Sequence, residues 1–241
     1  MKDNITLFMY SHSSYSDVWD LFFKQSEVYM PEYKKVLFAD NDLAKTPANW
    51  EFIRYNDNNS YSDRVASCLR QIDTELCFLH HEDMFLYSKP NKNVLSSYED
   101  IVSKTDIDFI RLLRSVDSPF FSHKDISTIY PVPNHSQYFF SVQPTICKTD
   151  SLLKIYENTE VNHIREFEPK VQKTCRNLGI KGFFHYDGES KRGDHHYDSN
   201  VYPYIATAIV KGKWNLSDYP TELGNILEKN KINIDIRGKV W

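Results

Sequence analysis

The first part of the chain alternates short apolar runs with polar turns. Residues 4–10 and 35–39 are apolar runs of the kind that forms strands, and each ends in polar residues that favour turns. After the first of these turns, residues 11–16, a helical spacing of apolar side chains begins at Asp17. The pattern therefore predicts a strand, a turn and a helix, followed by a second strand.

The same alternation continues up to residue 79. Residues 62–72 carry apolar side chains on one face of a predicted helix, with Ser62 or Asp63 as its N-cap. The apolar run that follows, residues 74–79, is predicted to be the next strand. Strands and helices that alternate in this way predict an α/β fold, with a mainly parallel sheet and helices on both of its faces.

The second half of the chain is less regular. Two segments without periodicity, residues 118–133 and 182–200, are predicted to be loops. Gly179 is predicted to end a helix in the left-handed conformation. The other predicted elements are strands at residues 108–113 and 137–146, helices at residues 150–157 and 166–178, a strand or short helix at residues 204–210, and a helix around residues 223–229.

Composition and charge restrict the classes of function. The chain has 241 residues, 41% hydrophobic and 15% aromatic, which is enough for one substantial α/β domain. A net charge of −4 with a pI near 6.1 does not favour nucleic acid or an anionic membrane surface as a partner. We find no signal peptide or transmembrane pattern and expect a cytoplasmic protein. We also expect free thiols, because the cysteines lack close pair spacing: Cys68, Cys77, Cys147 and Cys175.

The most informative stretch is the end of the predicted strand at residues 74–79. This apolar run leads directly into His80, His81, Glu82 and Asp83. Ligands of open α/β proteins bind at the carboxyl edge of the sheet, and adjacent carboxylates there supply hard oxygen ligands. The sequence therefore predicts a site for a divalent metal and a diphosphate.

Other common phosphate and hydrolase chemistries are not supported. The chain has only seven glycines, and it contains neither the GxGxxG pattern of dinucleotide folds nor the GxxxxGK[ST] pattern of nucleoside-triphosphate loops. The GxSxG and HExxH patterns are also absent from the sequence. A cation held by carboxylates binds a diphosphate without a glycine-rich loop, so the metal site remains the leading interpretation.

The order of segments resembles a family of small glycosyltransferases of the nucleotide-sugar-dependent type A (GT-A) fold, from bacterial and viral surface-polysaccharide systems. The resemblance rests on five short motifs and covers most of the chain. They are an N-terminal strand with a Ser/Tyr-rich turn, a DxD-like HED strand end continuing as EDxF, a YFFSVQPTI strand, an EFE helix start and a C-terminal GKW.

The resemblance implies a fold, a reaction and a metal. The fold is a three-layer α/β/α sandwich formed by one domain, residues 1–241, with a nucleotide-binding half at about 1–90 and an acceptor and catalytic half at about 91–241. The substrates are a nucleoside-diphosphate sugar donor and a glycan acceptor, and the cofactor is Mn²⁺ or Mg²⁺. The metal ligands are Asp83, His81 in place of the first Asp of DxD, and His195 or His196 from a C-terminal loop.

Transfer of a sugar to a hydroxyl group needs a base for the acceptor. We expect this base to be Glu168, or else Glu166, at the EFE helix start, where a helix N-terminus keeps a carboxylate ionised. Alternatively, both residues only complement the helix dipole. The residues predicted to bind the donor are Ser11, Ser13, Tyr15, Asp40, Arg64, Glu82, Gln143, Lys191 and Arg192.

Together with the predicted metal site, the resemblance implies a glycosyltransferase of polysaccharide biosynthesis, and inversion is the expected outcome of the transfer. Two alternatives remain open. A nucleotidyltransferase, or another metal-dependent phosphate enzyme, would use the same acidic strand end and would release pyrophosphate. A catalytically inactive relative would act as a sugar-binding or scaffold protein. The sequence leaves open the donor sugar, the nucleotide base, the acceptor, the choice between inversion and retention, the strict need for a metal, and the oligomeric state.

Overall fold

The computed structural model describes residues 2–43, 45–115, 121–193 and 196–240. Within these ranges the helices are α1 (Ser16–Tyr29), α2 (Tyr61–Leu69), α3 (Lys92–Lys104), α4 (Thr149–Glu157), α5 (Ile164–Leu178) and α6 (Pro220–Lys229). None of the helices in the described part of the chain has the length and the apolar character that crossing a membrane requires.

One large sheet contains eight of the strands. In chain order they are β1 (Lys2–Tyr10), β2 (Tyr33–Ala39), β3 (Glu51–Arg54), β4 (Leu76–His81), β5 (Phe109–Arg111), β6 (Ile129–Pro131), β7 (Thr145–Lys148) and β8 (Gly182–His185). Their order across the sheet is β3-β2-β1-β4-β7-β5-β8-β6. Strands β1 to β4 are parallel to one another, while β7 is antiparallel to both of its neighbours.

Five short strands form two smaller sheets. Strands β9 (Lys191–Arg192) and β10 (His196–Tyr197) pair with each other in antiparallel orientation. The C-terminal part of the chain forms a three-stranded sheet, in the order β11-β12-β13. Its strands are β11 (Ile209–Val210), β12 (Lys213–Asn215) and β13 (Lys239–Val240).

Two hydrophobic cores lie on opposite faces of the large sheet. Along β1, Leu7 and Met9 belong to one core, whereas Phe8 and Tyr10 belong to the other, because successive side chains of a strand point to opposite faces. Helices α1, α3 and α6 contribute buried residues to the first core, and helices α2, α4 and α5 contribute to the second. The predicted three-layer fold with a mainly parallel sheet is therefore confirmed.

The predicted elements of the first half agree closely with the structure. The strands at residues 4–10, 35–39 and 74–79 correspond to β1, β2 and β4, and the first helix begins at Ser16 after a single 3-10 turn. The N-cap of α2 is Ser60, because its side chain accepts a hydrogen bond from the Asp63 N–H; the prediction of Ser62 or Asp63 was wrong. Strand β3 was not predicted.

The second half differs more from the prediction. The helices at residues 150–157, 166–178 and 223–229 are confirmed, and Gly179 ends α5 with a φ of 66°. The strand predicted at residues 137–146 is wrong over most of its length, because only β7 is extended. The loop predicted at residues 118–133 contains β6, and the loop predicted at residues 182–200 contains β8, β9 and β10. Residues 118–120 and 194–195 of these two segments lie outside the described residues. Helix α3 was not predicted.

The four cysteines are free, as the sequence predicted, and all four are buried. Cys77 on β4 lies directly opposite Cys147 on the antiparallel strand β7. Burial raises the pKa of the Cys68 and Cys175 thiols to about 12. These thiols therefore behave as small apolar core residues at neutral pH.

We predict opposite effects for two glycine-to-alanine substitutions. A Cβ at Gly182 in β8 would lie 2.1 Å from the Phe109 ring, which is buried against Phe139 and Phe140. Gly182→Ala is therefore expected to lower the free energy of unfolding by about 1–3 kcal/mol. A Cβ at Gly224 in α6 meets no atom within 4 Å. Because alanine favours a helix more than glycine does, Gly224→Ala is expected to raise the free energy of unfolding by about 0.5–1 kcal/mol.

Urea denaturation of the two variants and the wild type measures both effects. Equal stability of Gly182→Ala and the wild type would contradict the close packing of β5 against β8.

Candidate active site

A cavity with a volume of about 820 Å³ lies at the carboxyl edge of the parallel strands. Its walls come from the ends of β1 and β4, the start of α5 and the segment before β11. Strands β1 and β4 pair in parallel with Tyr10 opposite His81, so the residues that follow them emerge side by side. The sequence-predicted residues that line this cavity are Ser11, Tyr15, Arg64, His81, Glu82, Asp83, Glu166 and Glu168.

Glu82 and Asp83 form an acidic pair on one wall of the cavity. The Asp83 side chain accepts a hydrogen bond from the Ile209 N–H at 3.3 Å, and the Ala208 N–H donates to the Asp83 carbonyl oxygen at 3.1 Å. These bonds attach the turn after β4 to the start of β11. The position of the pair is therefore fixed by backbone contacts from a distant part of the chain.

Both carboxyl groups have raised pKa values. Burial is the main cause in each case, and the neighbouring Asp83 charge raises the pKa of Glu82 further. The Ser11 side chain and the Arg237 guanidinium act in the opposite direction on Glu82, but they do not compensate for burial. Two adjacent carboxylates in a partly dehydrated wall repel each other, and a bound cation would relieve that repulsion.

The two histidines before the acidic pair have different environments. His80 points into the core, where its Nε2 atom lies 2.7 Å from the Tyr202 hydroxyl. His81 lines the cavity, and its buried Nε2 atom has no hydrogen-bond partner among the described residues. Burial lowers the pKa of His80 to about 3 and that of His81 to about 4, so both imidazoles are neutral at physiological pH.

The described residues contain no group of three or more His, Cys, Asp or Glu side chains that could hold a metal ion by themselves. Of the remaining predicted ligands, His195 lies outside the described residues, and nothing is described of the His196 side chain. The adjacent carboxylates still fit Mg²⁺ or Mn²⁺, because such ions are commonly held by one or two carboxylates together with substrate phosphates. The unpartnered His81 Nε2 atom is a further potential donor.

Three arginines lie at or near the cavity. Arg64 lines it and forms a salt bridge with Asp57 at 2.9 Å, which orients its guanidinium. Arg165 lies on the first turn of α5, also in the lining. Arg237 lies over the Tyr15 ring at 5.2 Å from its centroid. Arg237 is also paired with Asp17, so part of the positive charge at the cavity is already compensated by neighbouring carboxylates.

Glu166 and Glu168 lie on α5, on the wall formed by the start of this helix. Glu166 pairs with Lys170 at 2.9 Å, and this ammonium group lowers the pKa of Glu166. Glu168 accepts a hydrogen bond from the Val142 N–H at 2.8 Å through Oε1. Glu168 is therefore oriented by the backbone of a neighbouring segment, whereas Glu166 is engaged with a lysine.

Five sequence-predicted residues do not line this cavity. Ser13 and Asp40 lie beside it and bond to each other, with the Ser13 N–H and hydroxyl both donating to the Asp40 carboxylate at 2.7 Å. Gln143 accepts a hydrogen bond from the Tyr204 hydroxyl at 2.7 Å. Arg192 is paired with Asp198 and Glu222, and Lys191 precedes it on the exposed hairpin.

Several lining residues were not identified from the sequence. They are Tyr10, His12, Tyr61, Asn162, His163, Arg165 and Thr207, among others. Asn162, His163 and Arg165 surround the start of α5, so the EFE motif that drew attention to this helix start could also have identified them. Thr207 lies far away along the chain, and only the tertiary fold brings it to the cavity.

Comparisons with known proteins support the fold. No protein-family model and no curated protein matches the chain. The chain is similar to a solved structure of CMP-2-keto-3-deoxy-manno-octonic acid synthetase with CTP, at 13% identity and a TM-score of 0.51, over 75% of this chain and 88% of that one. It is also similar to a cytidylyltransferase from Leptospira borgpetersenii, at 12% identity and a TM-score of 0.51, over 100% and 99% of the two chains.

A third similar structure is residues 1–349 of S. aureus TarS, at 14% identity and a TM-score of 0.51, over 94% of this chain and 65% of that one. Identities this low establish the fold and leave the reaction to be argued from the site. The fold expected from the sequence, a GT-A-like α/β sandwich, agrees with these comparisons.

We predict that Glu82→Gln stabilises the protein in a pH-dependent way. A carboxyl group whose pKa is higher in the folded state than in the unfolded state opposes folding once the unfolded form ionises. The stability gain is therefore expected to be absent below pH 4.5, to grow as the pH rises towards 8, and to reach at least about 1 kcal/mol.

The measurement is urea denaturation at a series of pH values, with Glu160→Gln as a control at an exposed position. A gain that does not change with pH would contradict the burial of an ionisable acidic pair.

Proposed function

We propose that the protein is a nucleotide-sugar-dependent glycosyltransferase, which moves a sugar from a nucleoside-diphosphate donor to a glycan hydroxyl with inversion. One observation carries the proposal. The same cavity is lined by the acidic pair after β4 and by the carboxylates at the start of α5. An inverting transfer needs two such groups with separate tasks, one at the leaving group and one at the attacking hydroxyl.

The donor would bind along the ends of β1 and β4, in the half of the chain at about residues 1–90. Tyr15 lines this position and would contact the nucleoside, together with Ser11, whose hydroxyl also accepts a hydrogen bond from the Trp19 indole N–H at 2.7 Å. Arg64 would contribute positive charge near a phosphate, with its guanidinium held by Asp57 and Asn59. Asp40, which orients Ser13, lies beside this position and would bind ribose hydroxyls. This arrangement follows the general rule that α/β proteins bind ligands outside the carboxyl ends of their parallel strands.

Asp83, together with Glu82, would hold Mn²⁺ or Mg²⁺ at the diphosphate. When bound, the ion neutralises the negative charge of the departing nucleoside diphosphate. The protein orients the Asp83 carboxylate through the Ile209 N–H, and it presents the neutral His81 imidazole beside it. Arg165 is positioned to complement the remaining phosphate charge.

Glu168 is proposed as the base that accepts the proton of the acceptor hydroxyl. Its Oε1 atom is bonded to the Val142 N–H, so the carboxylate is held in one orientation and its other oxygen can receive the proton. Such fixed orientation is the main requirement for general base catalysis. Glu166 is less suitable because Lys170 is bonded to its carboxylate.

A nucleotidyltransferase would use the same acidic pair. The composition of the cavity therefore has to distinguish a nucleotidyltransferase from a glycosyltransferase. Enzymes that hold a nucleoside triphosphate without a large cationic surface commonly use successive backbone N–H groups of a glycine-rich loop. None of the described residues that line this cavity is a glycine. This composition favours a nucleotide-sugar donor over a triphosphate donor.

Product analysis tests the proposed reaction. The protein is incubated with Mn²⁺ and a panel of UDP-, GDP- and CDP-sugars, and separately with the nucleoside triphosphates. We expect slow release of nucleotide from at least one sugar donor in the absence of acceptor, and no pyrophosphate from any triphosphate. Release of pyrophosphate would support nucleotidyl transfer instead, and inactivity with every donor would support a binding or scaffold role.

Glu168→Gln tests the assignment of the base. We expect kcat to fall by about 10²–10⁴-fold, because the amide cannot accept the proton, while the donor KM changes by less than about threefold. The amide oxygen can still accept the Val142 N–H, so the fold should be retained. Glu166→Gln is expected to keep kcat within about threefold of the wild type. Equal losses of turnover and donor affinity in Glu168→Gln would indicate a structural role.

A further inference from the structure

A second cavity, with a volume of about 580 Å³, lies along α5 next to the candidate active site. We call it the α5 cavity; it is bounded by α5 on one side and by residues 135–138 on the other. Arg165 and Glu168 line both cavities. The carboxylate proposed as the base therefore lies at the junction between the donor cavity and a separate space.

The wall opposite α5 is held in place by side chains rather than by sheet pairing. Gln172 on α5 bonds both the N–H and the carbonyl oxygen of Phe140, each at 3.1 Å. The fully buried Arg111 donates to the Tyr138 carbonyl oxygen and to the Ser141 hydroxyl, each at 2.9 Å. The α5 cavity is therefore preformed, which reduces the entropy cost of binding a ligand there.

The lining of the α5 cavity combines an aromatic ring with positive charge. Tyr138 is half-buried and presents an aromatic surface of the kind on which sugar rings stack. Arg176 is exposed at the end of the cavity away from the donor, where one N–H donates to the Asn134 carbonyl oxygen at 3.2 Å. Among the described lining residues, Glu168 is the only carboxylate, and it lies eight residues before Arg176 on the same helix.

We propose that the α5 cavity binds the acceptor, and that Arg176 recognises an anionic group on an acidic glycan. The inference rests on the proposed glycosyl transfer. Eight helical residues span about 12 Å, so the anionic group would lie well away from the hydroxyl that Glu168 deprotonates. A guanidinium pairs with a carboxylate or a phosphate through parallel N–H donors, and the shared chemistry is an anionic substituent on a neighbouring sugar.

Matched disaccharides test this inference. The probes are cellobiose, cellobiouronic acid and 6′-phosphocellobiose, which share a scaffold and differ in charge. Binding to the 241-residue chain is measured by calorimetry and by saturation-transfer NMR. We expect one or both acidic disaccharides to bind at least about fivefold more tightly than cellobiose. The acidic disaccharide with the higher affinity identifies carboxylate or phosphate as the preferred group.

Arg176→Gln is expected to remove this preference while leaving cellobiose binding unchanged, and Arg176→Lys is expected to retain part of it. Lys173→Gln, which removes a positive charge from an exposed position on the same helix, is the matched control and should behave as the wild type. Equal affinity for all three disaccharides, no detectable binding of any of them, or a preference that survives in Arg176→Gln would overturn the proposal.

The donor reaction separates this inference from the proposed function. Nucleotide release from a sugar donor without any preference for acidic disaccharides would overturn the acceptor assignment alone. A preference for acidic disaccharides without activity on any donor would instead overturn the glycosyltransferase proposal.

Discussion

The parallel pairing of β1 with β4 is the constraint on which the candidate site depends. Because Tyr10 lies opposite His81, the turn after β1 and the acidic pair after β4 leave the same edge of the sheet side by side. The sheet therefore places Ser11 next to Glu82, and the Ile209 N–H orients the Asp83 carboxylate. The acidic pair is costly for folding, since burial disfavours its ionised form. A cation bound at the proposed site would offset this cost by stabilising the ionised carboxylates.

Helix α5 is the second organising element, because it forms a wall of both cavities. Two of its side chains, Glu168 and Gln172, bond to the backbone of the segment that precedes β7, so the helix and that segment form one unit. The proposed base is consequently held by the same contacts that shape the α5 cavity. A change in acceptor specificity would then be expected to affect turnover, since both depend on the position of α5.

Strands and helices could be predicted from the sequence where the local pattern of hydrophobic and polar residues is strong. Strand β4 and its acidic end were found because an apolar run changes abruptly to charged residues. The extended segment predicted at residues 137–146 failed because Arg111, Gln172 and Glu168 bond to its backbone in place of a neighbouring strand. Helix α3 has Leu95, Tyr98 and Val102 at helical spacing and could have been predicted, whereas Thr207 reaches the cavity only through tertiary contacts.

The central claim is that the carboxylates after β4 hold a divalent cation against a nucleoside diphosphate. Electron paramagnetic resonance of Mn²⁺ tests it most directly, because only the unbound ion gives the sharp six-line signal. We predict that the protein with UDP, GDP or CDP removes more of this signal than the protein or the nucleotide alone, and that Asp83→Asn abolishes the additional loss. An unchanged loss of signal in Asp83→Asn, or none in the wild type with any of the three nucleotides, would contradict the account.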